Sequence, residues 1–182
     1  DPLKDTVRKL RSRLERADRV LLMQLFSRYV SRDVADDIWQ RRDEFLESSG
    51  RPRPHRRTAS ILFSDIKGFT SISEKLDPRE LMDWLNDYLE AMANLVMQHG
   101  GIVDKFIGDA VMAVFGVPVV RPDEEAIRED AVNAVTCALA MGRELERLNL
   151  VWKGQGLAAI SIRVGIFTGP INAGSLGSLQ RL

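Results

Sequence analysis

Leu3, Val7, Leu10, Leu14, Ala17 and Leu21 recur at alternating steps of four and three, a heptad seam that predicts a helix within residues 1–30. Lys4, Arg8, Lys9, Arg11 and Arg16 stand opposite that seam. A charged outer face favours a parallel coiled coil over a helix lying on its own domain. "SRDVADDIWQRRDEFL" predicts a shorter helix, with Ser31 as N-cap and Val34, Ile38 and Phe45 on its apolar side. From Thr58 the period shortens to that of a strand in "TASILFSDI". "DPRELMDWLNDYLEAMANLVMQHGG" then predicts a helix with Asp77 as N-cap, Pro78 at its first position, Glu80 completing a capping box and Gly100 as its stop. Its expected core stripe is Leu81, Leu85, Tyr88, Met92 and Leu95. "GIVDKF" and "AVMAVFG" read as a hairpin turning at Ile107, Gly108 and Asp109. A second long helix is expected over about Asp123 to Leu148, burying Ile127, Ala131, Val135, Ala138, Met141, Leu145 and Leu148, before a last strand in "AISIRVGIFTG". The order β-α-β-β-α-β predicts an α+β, ferredoxin-like fold.

These periods divide the chain into a coiled-coil helix (1–30), a helical coupling segment with a basic Pro-rich linker (31–57) and a globular domain (58–182). Charge divides it at the same place. The residues ahead of Thr58 carry 15 Lys and Arg against 10 Asp and Glu, and the remainder carries 11 against 16. The boundary "GRPRPHRR" has two prolines and no interleaved aromatic residue, so it reads as a solvated linker and not as a nucleic-acid contact. One cysteine, Cys137, excludes a disulfide within the chain and a zinc-type cysteine cluster. No run approaches the roughly 18 apolar residues of a membrane span, and the N-terminus lacks the pattern of a signal peptide. A soluble, cytoplasmic domain is expected.

Candidate chemistry sits at the ends of the strands. In a right-handed β-α-β crossover the first two strands run parallel, with the hairpin's return strand free to lie between them, and both end at one edge. Asp65 ends the first and Asp109 closes the corner after the second, so two carboxylates converge on one rim. Hard oxygen donors on a rigid edge suit a divalent cation such as Mg²⁺. "KGFTS" follows Asp65, where a glycine permits close backbone approach and the first N–H groups of a helix offer a phosphate cradle. Each part has a plainer alternative: Asp65 as a helix cap, Gly108-Asp109 as a simple turn, Lys105 as a solvated strand lysine.

Three segments together, "FSDIKGFT", "DKFIGDAVMAVFG" and "IRVGIFTGPINAGSLGS", resemble the catalytic domain of class III nucleotidyl cyclases, over residues 58–182 and about the first two-thirds of such a domain. The resemblance implies an adenylyl cyclase that makes cyclic AMP and pyrophosphate from ATP. It implies that Asp65, Asp109 and the Ile66 carbonyl hold two Mg²⁺ or Mn²⁺ ions. One ion would activate the ribose 3′-hydroxyl, and the other would hold the triphosphate. Lys67, Gly68, Phe69 and Thr70 match the triphosphate cradle, Lys105 matches the purine-selecting position, and Ile107 and Gly108 adjoin them in the substrate site. Lysine at that position points to adenine, where glutamate would point to guanine. The family builds its sites between two catalytic domains, which implies a homodimer through this domain as well as through the coiled coil, under an upstream sensor or membrane domain. It also places a second purine-reading residue, an asparagine and an arginine beyond Leu182, so residues 1–182 are expected to be catalytically incomplete alone. A guanylyl cyclase and a non-catalytic dimerisation module of cyclase-like fold are the alternatives.

Overall fold

The protein was analysed as a computed structural model, which describes residues 55–117 and 121–173 together with Asp36 and Gln40. The expected coiled coil, most of the coupling segment and the stretch from residue 174 lie outside the described residues. The described elements follow the order β1 (His55–Ile66), α1 (Phe69–Ser73), α2 (Pro78–Gln98), β2 (Ile102–Ile107), β3 (Ala110–Phe115), α3 (Glu124–Gly154) and β4 (Ile162–Ala173). The four strands form one sheet in the order β2-β3-β1-β4 with antiparallel neighbours. β1 and β2 are therefore parallel with β3 between them, and the ferredoxin-like α+β expectation is borne out.

Local chemistry sets the boundaries. Asp77 caps α2 by accepting a hydrogen bond from the Arg79 N–H at 2.9 Å, and Pro78 supplies a first position that needs no donor. Glu80 makes no return bond, so only half of the expected capping box forms. At the other end Gly101 N–H reaches the Val96 carbonyl at 2.9 Å and Gly100 N–H the Met97 carbonyl at 3.2 Å, which closes the helix as a Schellman turn. Asp123 caps α3 through the Ala126 N–H.

Three sequence expectations need correction. β1 begins at His55, inside the stretch read as linker, because β4 is long enough to pair with it from His55↔Ala173 to Ile66↔Ile162. α3 continues to Gly154, since Trp152 is another core position after Leu148. The helix stripes are also rotated. α2 fully buries Trp84, Tyr88, Met92, Ala93 and Val96, leaving Leu81, Leu85 and Leu95 half-buried at the margin. α3 buries Asp130, Ala134, Cys137, Met141, Leu145, Leu148 and Trp152, whereas Val135 stands 50% exposed. Alanine and valine occupy both sides of the first half of α3, so hydrophobicity alone leaves its rotation open. The ion pair between buried Asp130 and Arg121, with Nε 2.6 Å from Oδ2, fixes it.

Both long helices pack on one face of the sheet. Ser60, Leu62, Ser64 and Ile66 of β1 point into that layer and are at most 2% exposed. Trp84 and Trp152 meet with ring centroids 5.5 Å apart, tying α2 to α3. Each large apolar side chain removed from water here contributes roughly 1.5–3 kcal/mol. The opposite face has no helix over it among the described residues, although Phe63 is 44% and Phe167 63% exposed there.

Candidate active site

Asp65 and Asp109 meet at the rim where β1 ends. The two-residue turn Gly108-Asp109 joins β2 to β3 with Ile107 opposite Ala110, and Gly108 takes φ 63, a left-handed conformation that suits glycine. The turn carries Asp109 to the end of β1, where its Oδ2 accepts from the Ile66 N–H at 2.8 Å. Asp65, the neighbour of Ile66, is thereby placed beside it. A carboxylate pair joined through one backbone bond is the convergence expected from the topology.

Asp65 is itself held. Arg163 lies opposite it on β4, and its guanidinium donates from Nε to Oδ1 at 2.9 Å and from Nη2 to Oδ2 at 2.8 Å. The hydrogen bonds that Arg163 donates to this carboxylate, then the carboxylate's charge and to a lesser degree that of Asp109, raise the arginine pKa above its usual value. The pair is open to solvent, with side-chain exposures of 67% for Arg163 and 40% for Asp65, so screening leaves it easily exchanged for another cation. Sequence reading missed Arg163. An arginine within an apolar strand was the available signal, but its partner emerges only from the β1–β4 register.

The turn after β1 behaves as expected in part. Gly68 has φ 74 and precedes α1, whose first N–H groups have no acceptor within the helix. The N–H groups of Gly68, Phe69 and Thr70 have no partner among the described residues, but that of Lys67 is already bonded to the Ser161 carbonyl at 2.9 Å. Of the four residues matched to a cradle, Lys67 thus has its N–H already engaged. The Phe69 ring packs against the core.

Lys105 lies on the uncovered face of the sheet, where Asp65 also lies. β2 shifts register between Val103, opposite Ala113, and Lys105, opposite Met112. This makes Asp104 an extra residue, a bulge that turns Lys105 to the open side while Val103 stays in the core at 2% exposure. Met112 pairs in turn with Phe63, two residues before Asp65. The lysine is 58% exposed and its Nζ rests 3.2 Å from Asp104 Oδ2.

Two buried hydroxyls were not singled out from the sequence. Ser64 and Tyr88 are 1% and 0% exposed; their hydroxyls lie near one another, although neither makes a hydrogen bond of ordinary geometry. Burial raises the Tyr88 phenol to about 12; the nearby Ser64 hydroxyl opposes this, and the charges of Asp109 and Asp65 add to it. The phenol therefore stays protonated.

The donor set fits a hard divalent cation: two carboxylates on a partly exposed rim, fixed by a backbone N–H and a displaceable guanidinium, with the Ile66 backbone alongside. A cleft of about 450 Å³ opens elsewhere, between the start of α2 and the end of α3, and contains none of these residues.

Residues 52–181 match the adenylate and guanylate cyclase catalytic domain family, and the chain belongs to that family, the class III nucleotidyl cyclases. It is 36% identical over 130 residues to an adenylate cyclase of Anabaena cylindrica, covering 69% of this chain and 24% of that protein. With adenylate cyclase 1 of Rhizobium meliloti it shares 35% over 127 residues, 70% of this chain and 18% of the relative. The chain therefore spans a quarter or less of these relatives' length. Among solved structures it resembles the adenylyl cyclase CyaB from P. aeruginosa, with TM-score 0.66 and 38% identity over 71% of this chain and 64% of that one. The guanylyl cyclase Cya2 is similar to a comparable degree, with TM-score 0.63 and 39% identity over 70% of this chain and 61% of the other.

Proposed function

We propose that this domain is the catalytic part of an adenylyl cyclase, converting ATP to cyclic AMP and pyrophosphate at a site completed by a second copy. The observation that carries this reading is the meeting of Asp65 and Asp109 at one rim, fixed by the bond from Ile66 N–H. Asp65, Asp109 and the Ile66 carbonyl are the residues that would hold Mg²⁺ or Mn²⁺. Bound there, such ions would supply acidity to the ribose 3′-hydroxyl and offset the charge of the triphosphate. The free N–H groups of Gly68, Phe69 and Thr70 bind phosphate oxygens, with Ile107 and Gly108 forming the opposite lip. Arg163, whose guanidinium fork holds Asp65 here, would suit the same oxygens if that carboxylate held a cation instead. Lys105 donates to the adenine ring nitrogen that accepts a hydrogen bond.

In one chain Lys105 and the aspartates share a single open face that no helix screens from water among the described residues. A second copy laid on that face would exclude water and bring one chain's lysine to the other's carboxylates. Two features support this: the exposed Phe63 and Phe167 on the sheet and, independently, the heptad seam of residues 1–30.

The likeness to Cya2 favours one second reading, a guanylyl cyclase. Product formation by the intact enzyme from ATP and from GTP, with Mg²⁺ or Mn²⁺, separates the two. Cyclic AMP is expected to dominate. Asp65→Ala and Asp109→Ala should each lower turnover at least a hundredfold while leaving the circular dichroism unchanged. Near-normal turnover in either variant would refute the cation-site assignment.

A further inference from the structure

Asn149 stands half-buried on α3, and its carboxamide closes on one residue of the segment that leads into β4. Its Nδ2 donates to the Ile160 carbonyl at 2.8 Å, and its Oδ1 accepts from the Ile160 N–H at 2.9 Å. A carboxamide offers a donor and an acceptor side by side, as a neighbouring strand would. It therefore satisfies both backbone groups of a residue that lies just ahead of the β1–β4 pairing. An ionised aspartate could only accept, and leucine could do neither. The start of the same segment is fixed by a Schellman turn, in which Leu157 N–H reaches the Trp152 carbonyl at 2.9 Å and Gly156 N–H, from φ 84, the Lys153 carbonyl at 3.1 Å. Residues 157–160 are thus pinned to α3 at both ends.

The residue after Ile160 reaches the rim. The Ser161 carbonyl accepts from the Lys67 N–H at 2.9 Å. That N–H belongs to the same planar trans peptide as the Ile66 carbonyl, so the two point in opposite directions. Holding the N–H on Ser161 aims the Ile66 carbonyl away from β4. The Ile66 N–H bonds to Asp109 Oδ2 at 2.8 Å, and in extended backbone a residue's N–H and C=O leave on the same side. The carbonyl therefore faces the side on which Asp109 lies, a third oxygen beside the two carboxylates. Among the described residues, the Lys67 N–H makes the only backbone hydrogen bond from residues 67–70 to another element. The peptide plane is held from the β4 side and not by the turn that follows it.

We propose that Asn149 is a positioning residue for the cation rim, acting through Ile160 and Ser161 to orient the peptide that carries the Ile66 carbonyl. The inference rests on the cation-site reading given above. Groups that orient a metal-ligating oxygen from outside the ligand shell commonly change metal affinity by about 10- to 100-fold when removed. Asn149 touches neither substrate nor cation in this scheme.

The test uses the full-length protein and Mn²⁺ alone as probe. Free Mn²⁺ is followed by electron paramagnetic resonance in titrations of the parent, Asn149→Ala, Asn149→Leu and Asp109→Ala. Amide hydrogen exchange is read by mass spectrometry on peptides spanning Asp65 to Lys67 and, for comparison, Pro78 to Gln98 of α2. Asn149→Ala is expected to weaken Mn²⁺ binding about tenfold and to speed exchange across Asp65 to Lys67 while α2 keeps its protection. Asn149→Leu, which keeps side-chain volume without either hydrogen bond, should behave in the same way. Unchanged Mn²⁺ affinity in Asn149→Ala overturns the inference, whatever happens to Tm. Weaker binding without faster exchange at Asp65 to Lys67, or with equally faster exchange in α2, also overturns it, since the effect then does not travel by this route. If Asn149→Ala does not fold, Asn149→Leu decides by the same two readings, and failure of both to fold assigns Asn149 to folding and overturns the inference. A parent that binds no Mn²⁺, or binds it equally well after Asp109→Ala, overturns the cation-site reading and this inference together. Mn²⁺ binding that is lost in Asp109→Ala but kept in Asn149→Ala overturns the inference alone.

Discussion

Lys105 reaches the open face because Asp104 is inserted ahead of it, and the same Asp104 rests 3.2 Å from its Nζ. One residue thus sets both the direction and the electrostatic setting of the side chain proposed to read the base. Lys105→Glu exchanges donors for acceptors in that place. ATP use should fall by about one to three orders of magnitude relative to GTP, because a buried polar edge of the purine is left unpaired. Competition between the two nucleotides measures the ratio; an unchanged ratio would remove Lys105 from base recognition. The aspartates were legible from sequence because each stands at an element end, where topology alone determines location. Arg163 was not, since its partner Asp65 lies 98 positions away and is brought to it only by strand register.

At the scale of elements, α3 shows how a buried polar group overrides an ambiguous apolar pattern. Asp130, bonded to Arg121, turns Cys137 fully into the core and leaves Val132, Val135 and Leu139 outside. Burial pushes the Cys137 thiol from 9.0 to about 12. The folded state therefore keeps a proton that the unfolded chain releases above pH 9, and the stability that depends on it is intact below pH 9 and lost as pH rises toward 12. The slope is up to about 1.4 kcal/mol per pH unit for one group. Urea unfolding between pH 8 and 11 should show Cys137→Ala losing less stability over this range than the parent, after allowance for its lower starting value. Parallel pH profiles would show that the thiol does not contribute.

For the whole molecule, the uncovered sheet face is the feature that calls for a partner. Ile61 and Phe63 line it on β1, flanked by Met112 on β3 and Phe167 on β4, with Asp65 at one end. Apolar residues on both faces of a strand are usual where both faces are buried. Phe63→Asp together with Phe167→Asp should raise the dimer dissociation constant at least tenfold by sedimentation, and cyclic AMP formation should fall in step. Dimerisation at parental strength would place the contact elsewhere, the N-terminal seam being the next candidate.

Sequence by itself determined the order of elements, the ferredoxin-like class, the rim position of Asp65 and Asp109 and the turn at Gly108, because caps, turn residues and period act over a few residues. Tertiary structure alone decided which faces are buried. In β1 the segment "ILF" is apolar on both sides, and the packing of α2 and α3 selected Leu62 with Ser60, Ser64 and Ile66 for the core, leaving Phe63 out. It likewise decided that Arg163 lies on Asp65 and that a bulge turns Lys105 outward. Those outcomes depend on register and helix rotation, which are set by contacts between segments far apart in the chain and leave no local trace in it.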